Sequence, residues 1–230
     1  MGRHEEAVKE GAPAVTVLQK LAHTAPEARR LHLALSLKSL GRPLTKLTRL
    51  HQAVAVAEQE VEVWRHLAQA DPGGCEFELG MALDRLGGLL ARVGRHEEAV
   101  MVGEQAVTLW RRLDDPAADL LLALALGKLG GPLTVLNRHE DVIAAGEEAL
   151  PIWRRLAGEA PTTYRPQLGY LLIVVVLLRI GQEHGLREAL TEAEEAVAIF
   201  TALAAQNPAL FRSQLNEALR LRAHLRPAGL

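Results

Sequence analysis

The chain of 230 residues repeats itself, and this internal repeat limits the possible folds more than any other feature. The heptapeptide Gly-Arg-His-Glu-Glu-Ala-Val occurs at residues 2–8 and again at 94–100, 92 residues later. Large side chains recur at about half of that spacing. They are Leu18, Trp64, Trp110, Trp153 and Phe200, at intervals of 46, 46, 43 and 47 residues. Periods of about 20 to 50 residues are typical of stacked supersecondary units. The sequence therefore predicts an array of such units.

Apolar residues within each copy follow the period of an α-helix. In the third copy they occur at Ala99, Val100, Gly103, Ala106, Val107, Trp110 and Leu113. This spacing places them on one face of a helix with 3.6 residues per turn. Among the 35 equivalent positions of the five copies only Glu60 is polar, and the third position is always Gly or Ala. We expect five helices with one buried face, each crossed closely by a neighbour at its small residue.

The segments between these helices predict five more. Leu and Ala, both strong helix formers, supply 78 of the 230 residues, and β-branched runs are scarce. Pro-containing turn signals such as Asp71-Pro72-Gly73-Gly74 separate the segments and place Cys75 in a turn between helices. The expected additional helices cover residues 27–48, 77–93, 117–136, 165–180 and 209–225.

The helical hairpins carry a recurring motif. The motif consists of a Leu-Gly pair, a large residue and two small residues in the next helix. One copy is Leu86-Gly87, Leu90, Ala99 and Ala106. This pattern resembles the tetratricopeptide repeat (TPR), of a long-period bacterial type with about 46 residues per repeat. The resemblance implies an all-α, right-handed α-solenoid of antiparallel helix hairpins with about ten helices, formed by a single array over residues 1–230. Its expected parts are a half unit 3–22, pairs 27–70, 75–113, 117–158 and 165–206, and a C-terminal capping helix 209–225. The fourth hairpin lacks the Leu-Gly pair and has about three extra residues near Gln182-Glu183-His184.

The resemblance also implies where a partner would bind. In this family the first helix of each hairpin lines the concave face, where protein or peptide segments usually lie. Transferring that register predicts a basic end and an apolar end of the groove, with the asparagines of the family's carboxylate clamp missing. The candidate partner-binding residues are Lys38, Arg42, Lys46, Asp84, Arg92, Tyr170 and Val174.

Catalytic and metal-binding patterns are missing from the sequence. No phosphate-binding glycine loop, dinucleotide fingerprint, zinc-protease motif or nucleophile elbow occurs. The recurring His4, His96 and His139 belong to the repeat consensus, and equivalent positions in successive repeats are too far apart to share an ion. Acidic pairs at helix starts and arginines at helix ends match the helix dipole. We expect neither enzyme activity nor a cofactor nor a metal, and an isolated Cys75 is more consistent with an inert thiol than with a nucleophile.

Charge and hydropathy limit the classes of partner and the cellular location that we expect. The net charge of −2 argues against nucleic acid as a partner. The longest apolar run, residues 168–178, is shorter than the about 20 residues that span a bilayer, so we expect no membrane span. The acidic, polar start argues against a signal peptide, which makes the cytoplasm the expected location. An excess of 21 Arg over 5 Lys suggests a bacterial origin.

The sequence thus predicts a non-catalytic protein- or peptide-binding scaffold. The alternative is self-association, as a homo-oligomer formed through the N-terminal end or as part of a larger regulatory protein. An enzyme or a metal-binding protein comes third.

Overall fold

The computed structural model describes residues 2–22, 27–113 and 115–226. In this part of the chain all regular secondary structure is helical, and it forms ten helices. They are α1 (Gly2–Ala22), α2 (Glu27–Lys46), α3 (Leu50–Ala70), α4 (Pro72–Arg92), α5 (His96–Arg112), α6 (Pro116–Val135), α7 (His139–Glu159), α8 (Pro161–Gly181), α9 (Leu186–Gln206) and α10 (Pro208–Leu225). The all-α prediction is confirmed.

The chain divides into two compact units, Met1–Ala118 and Asp119–Leu230. In the first unit α2 packs on α1 and α3, and α4 packs on α3 and α5. In the second unit α8 packs on α7 and α9, and α10 packs on α9. Consecutive helices therefore pack as hairpins in each unit, as TPR-like repeats do.

The four tight turns that join a first helix to a second helix share one geometry. Each has a residue with positive φ, at Thr48, Gly94, Asn137 and Glu183, and the fourth turn has a second one at Gly185. In each, the next amide donates a hydrogen bond to a carbonyl five residues earlier, as Arg95 does to Leu90 and His184 to Arg179. This six-to-one bond caps the end of a helix. The fourth turn, residues 182–185, is one residue longer than the others rather than three.

The turns before α4, α8 and α10 differ from the sequence expectation. Pro72 and Pro161 each occupy the first turn of a helix, where the missing amide hydrogen costs nothing. Asp71 caps α4 by accepting a hydrogen bond from the Gly74 amide at 3.1 Å, and Asn207 caps α10 in the same way. Helix α4 therefore begins at Pro72 and not at Phe77. The placement of Cys75 in a turn is wrong, because this half-buried residue lies in the first turn of α4.

The repeating large residues form the cores of the two units. Trp64, Trp110, Trp153 and Phe200 are at most 5% exposed, which confirms the stripe predicted from the period. The side chain of Leu18 lies outside the described residues. In α1 the stripe is only partly buried, since Val15 is buried but Ala7 and Ala14 are exposed.

Small residues allow helices to approach closely, as the third stripe position predicts. A Cβ on Gly146 of α7 would lie 2.5 Å from Cγ2 of Val175 in α8. In the first unit, Gly87 of α4 lies against the backbone of Gly103 in α5. A second small position was not predicted: Gly80 and Gly169 leave room for the rings of Trp110 and Phe200.

Candidate functional site

An apolar groove in the second unit is the main candidate site. It lies between α6 and α8, above α7, and encloses a cavity of about 410 Å³. Its walls and floor are formed by Ala123, Leu124, Leu126, Gly127, Lys128, Gly130, Val142, Ala145, Gly146, Trp153, Gln167, Tyr170, Leu171 and Val174. This volume is within the range of ligand-binding clefts.

The groove is open because α6 presents glycine where a long side chain could stand. A Cβ on Gly127 would find no heavy atom within 4 Å, although this residue lines the groove. Gly131, one turn further along α6, is equally unobstructed but does not line the groove. The absence of a side chain at Gly127 therefore creates part of the cavity.

Large apolar side chains line the open space. Leu124, Tyr170 and Val174 are 37%, 43% and 43% exposed, which is high for residues of this type in a folded protein. The Tyr170 ring packs edge-on against the buried Phe200, with ring centroids 5.5 Å apart, and this contact fixes its position. Exposed apolar surface held in a concavity is typical of interaction sites.

Charge is nearly absent from this surface. Lys128 is the one charged residue among those that line the groove, and no charged residue occurs from Pro166 to Leu178 in α8.

Helices α6 and α8 are long and apolar enough to span a membrane by length and composition, over Ala117–Val135 and Pro161–Gly181. Such helices also occur in the cores of soluble proteins, so this property alone is weak evidence for a membrane span. Less than half of the apolar window in each segment is buried, and the exposed residues include Leu124, Tyr170 and Val174, which line the groove.

In the first unit an ion pair occupies the equivalent position. Residues of α6, α7 and α8 correspond to residues of α2, α3 and α4 at a constant offset of 89, as Trp153 corresponds to Trp64. At this offset Gly127 replaces Lys38 and Gln167 replaces Glu78. In the first unit the Lys38 ammonium donates a hydrogen bond to Oε2 of Glu78 at 2.7 Å. The ion pair thus joins α2 to α4 across the space that is open in the second unit.

A second, deeper ion pair reinforces the first unit. Glu60 of α3 is 1% exposed, and its carboxylate accepts two hydrogen bonds from Arg85 of α4, at 2.6 and 3.3 Å. The indole of Trp64 donates a third, at 3.4 Å. Burial raises the pKa of the Glu60 carboxyl above its ordinary 4.5, while Arg85 acts in the opposite direction. In the second unit the corresponding residues are Ala149 and Val174.

The structure separates the predicted binding residues into three groups. Tyr170 and Val174 lie together in the groove. Arg42, Lys46 and Arg92 are exposed at the C-terminal ends of α2 and α4, whereas Lys38 is held by Glu78. Asp84 does not fit the predicted role as a surface contact. It is 7% exposed, and it accepts a hydrogen bond from the indole of Trp110 at 3.3 Å, so it belongs to the core.

The side chains that could bind a metal ion do not come together in the part of the chain that the structure describes. No group of three or more His, Cys, Asp or Glu side chains there could hold a metal ion. The recurring His96 and His139 each have a buried Nδ1 without a hydrogen-bond partner, but they lie in different units. The buried Arg179 of α8 lies between Glu147 of α7 and Glu192 of α9, and burial raises the pKa of the Glu192 carboxyl. These groups join the helices of the second unit.

No family model and no curated protein matches the sequence. Solved structures match almost its whole length at low identity. The structure of BtubC from P. vanneervenii is 19% identical, with a TM-score of 0.59 over 98% of this chain and 91% of that one. TPR-like repeats of a kinesin light chain from Podosopora anserina are 18% identical, with a TM-score of 0.60 over 90% of both chains. PlcR from Bacillus thuringiensis, solved with the peptide PapR7 and DNA, is 12% identical, with a TM-score of 0.56 over 94% of this chain and 69% of that one.

These similarities concern the fold, since the identities are all below 20%. They agree with the features already described: consecutive antiparallel hairpins, a turn geometry that recurs along the chain, and large residues that recur every 43 to 47 positions. By its fold, the chain is a TPR-like helical repeat protein.

Proposed function

We propose that the chain is a non-catalytic binding module whose second unit holds a segment of a protein or peptide partner in the groove between α6 and α8. The observation that carries this proposal is the groove itself, which combines about 410 Å³ of space with exposed Leu124, Tyr170 and Val174. Grooves of this kind accept apolar side chains of helical or extended segments. The PlcR structure, which contains a peptide, supports a peptide partner for a protein of this fold.

The test is selection from a random 12-residue peptide library on the purified chain, with two matched variants. Gly127→Leu places a side chain in the groove, and Gly131→Leu places the same side chain on α6 outside it. We expect peptides that bind the wild type and Gly131→Leu at micromolar affinity and bind Gly127→Leu at least tenfold more weakly. Recovery of no peptide that distinguishes the two variants would contradict the proposal.

The exposed cations of the first unit support a second contact. Arg42, Lys46 and Arg92 would attract an acidic part of the partner, with Lys38 contributing less because Glu78 already pairs with it. Exposed pairs of this kind contribute little each and weaken with salt. The double variant Arg42→Glu/Lys46→Glu should therefore reduce affinity for a partner modestly and reduce its salt dependence. An unchanged salt dependence would remove these residues from the site.

Self-association is the alternative function. The exposed apolar residues of α1 support it, because Ala14 of the stripe is exposed and Val17, which lies outside the stripe, is 56% exposed. Light scattering at increasing concentration measures this directly. A dimer that Val17→Ser abolishes while Gly127→Leu has no effect would favour association through α1 over binding in the groove.

A further inference from the structure

The comparison of the two units also indicates what kind of group fills the groove. This inference rests on the proposed function, because it concerns the same groove and its occupant. In the first unit four charged side chains lie in or below the equivalent space, in two ion pairs, Lys38 with Glu78 and Arg85 with the deeper Glu60. Every one of them is replaced by an uncharged residue in the second unit, namely Gly127, Gln167, Val174 and Ala149.

Removal of both members of each pair has a specific consequence. Had only one member been lost, the groove would present a charge that a partner of opposite sign could neutralise. Here Lys38 and Glu78 are lost together, as are Arg85 and Glu60, so no member of either pair is left to meet a charged partner group. A charged group in the resulting apolar space would lose its hydration without compensation from either pair, which is strongly unfavourable. Lys128, the one charged residue that lines the groove, already takes part in another interaction within the chain.

The space left by the substitution has the form of a side-chain site. In the first unit the stem of Lys38 extends from α2 toward Glu78 of α4. In the second unit the equivalent path begins at the unobstructed Gly127 and passes the exposed Tyr170 and Val174, with Trp153 in the floor. A large side chain that enters from outside can take this path and meet apolar atoms along its length.

We infer that the groove anchors one large, uncharged apolar side chain of the partner, aromatic or leucine-like, at Gly127, in the space that Lys38 takes in the first unit. Charged anchors of either sign are rejected. The binding energy comes from apolar surface removed from water.

The experiment uses a peptide selected on the wild type and lost on Gly127→Leu, with its anchor identified by alanine scanning. Synthetic versions carry Phe, Leu, Lys or Glu at that anchor, and the affinity of each for the full chain is measured by fluorescence anisotropy. We expect the Phe and Leu versions to bind within about fivefold of one another, and the Lys and Glu versions to bind at least tenfold more weakly. A Lys or Glu version that binds as well as Leu would overturn this inference while leaving the groove as a peptide site.

Two controls separate this result from other occupants. If no selected peptide is sensitive to Gly127→Leu, the proposed function itself fails. Neutral phosphatidylcholine vesicles test the apolar α6 and α8 as a lipid-binding surface. Sedimentation of the wild type with vesicles, reduced by Gly127→Leu but not by Gly131→Leu, would assign the groove to lipid and overturn the inference. No sedimentation is the result we expect.

Discussion

The two units place the same helices around the same tryptophan and use the space above it differently. Around Trp64 the first unit closes the space with ion pairs that join α2, α3 and α4. Around Trp153 the second unit leaves a cavity bounded by small and apolar residues. The hairpin turns and the buried tryptophans are shared, so the difference arises from a few side chains on the inner surface. A repeat fold can therefore close the inner surface of one repeat with ion pairs and leave that of another open while the backbone pattern stays constant.

The largest expected effect concerns the two equivalent tryptophans. Trp64→Ala should lower the free energy of unfolding by about 3–5 kcal/mol, because it leaves a cavity and removes a hydrogen-bond donor from the buried Glu60. Trp153→Ala should cost about 1 kcal/mol less, since its ring borders a cavity already present and no carboxylate stands at Ala149. Urea denaturation followed by circular dichroism measures both. An equal loss in the two variants would contradict the contrast between the units.

The buried ion pair can be broken or replaced. Arg85→Ala leaves the Glu60 carboxylate buried without its main partner and should cost about 3 kcal/mol. Glu60→Ala/Arg85→Val introduces the residues found in the second unit, and it should cost clearly less than Arg85→Ala because no buried charge is left unpaired. The same denaturation experiment tests this. A double variant less stable than Arg85→Ala would show that the pair, rather than charge compensation, stabilises the first unit.

A pH series distinguishes the charged space from the apolar one. The pKa of Glu60 is higher in the folded protein than its ordinary 4.5, so the unfolded chain loses its proton first as the pH rises. The contribution of Glu60 to stability therefore falls with rising pH above 4.5, until Glu60 ionises in the folded protein as well. Relative to Glu60→Gln, the wild type should lose stability over this window. Glu192, whose pKa is also raised, is present in both proteins, so its effect cancels. A pH-independent difference would contradict the raised pKa.

The smallest expected effect is on stability at the groove. Gly127→Leu and Gly131→Leu should each stabilise the chain by up to about 1 kcal/mol, because leucine favours the helix interior over glycine and neither new Cβ meets a neighbour. Melting curves of the two variants compare them directly. Destabilisation by Gly127→Leu alone would mean that the groove closes around this residue, and would weaken its use as a binding test.

Much of this architecture was predictable from the recurring Trp and Phe residues, because they combine a fixed interval with a helical period. The start of α4 was not, since Pro72-Gly73-Gly74 reads as a turn by composition, while Asp71 and the proline together begin a helix. Tyr170 and Val174 were placed by extending a register past a missing Leu-Gly pair, and they do share a groove. The polar exception Glu60 was visible, but its partner Arg85 lies 25 residues away on another helix, and no local pattern connects them. The prediction for Asp84 was wrong for a different reason. The repeat register predicts toward which face a side chain points, but it does not predict the hydrogen bond from the Trp110 indole that holds Asp84 in the core.

One measurement tests directly whether the second unit binds because its charged residues are replaced. The double variant Gly127→Lys/Gln167→Glu restores the residues of the first unit at the groove and, by the same geometry, should rebuild an ion pair across it. The affinity of a peptide selected on the wild type is compared between the two proteins, with Gly131→Lys as the control for added charge on α6. The account predicts at least a tenfold loss of affinity in the double variant, an unchanged helical spectrum, and little change in the control. Affinity within twofold of the wild type in the double variant would contradict it.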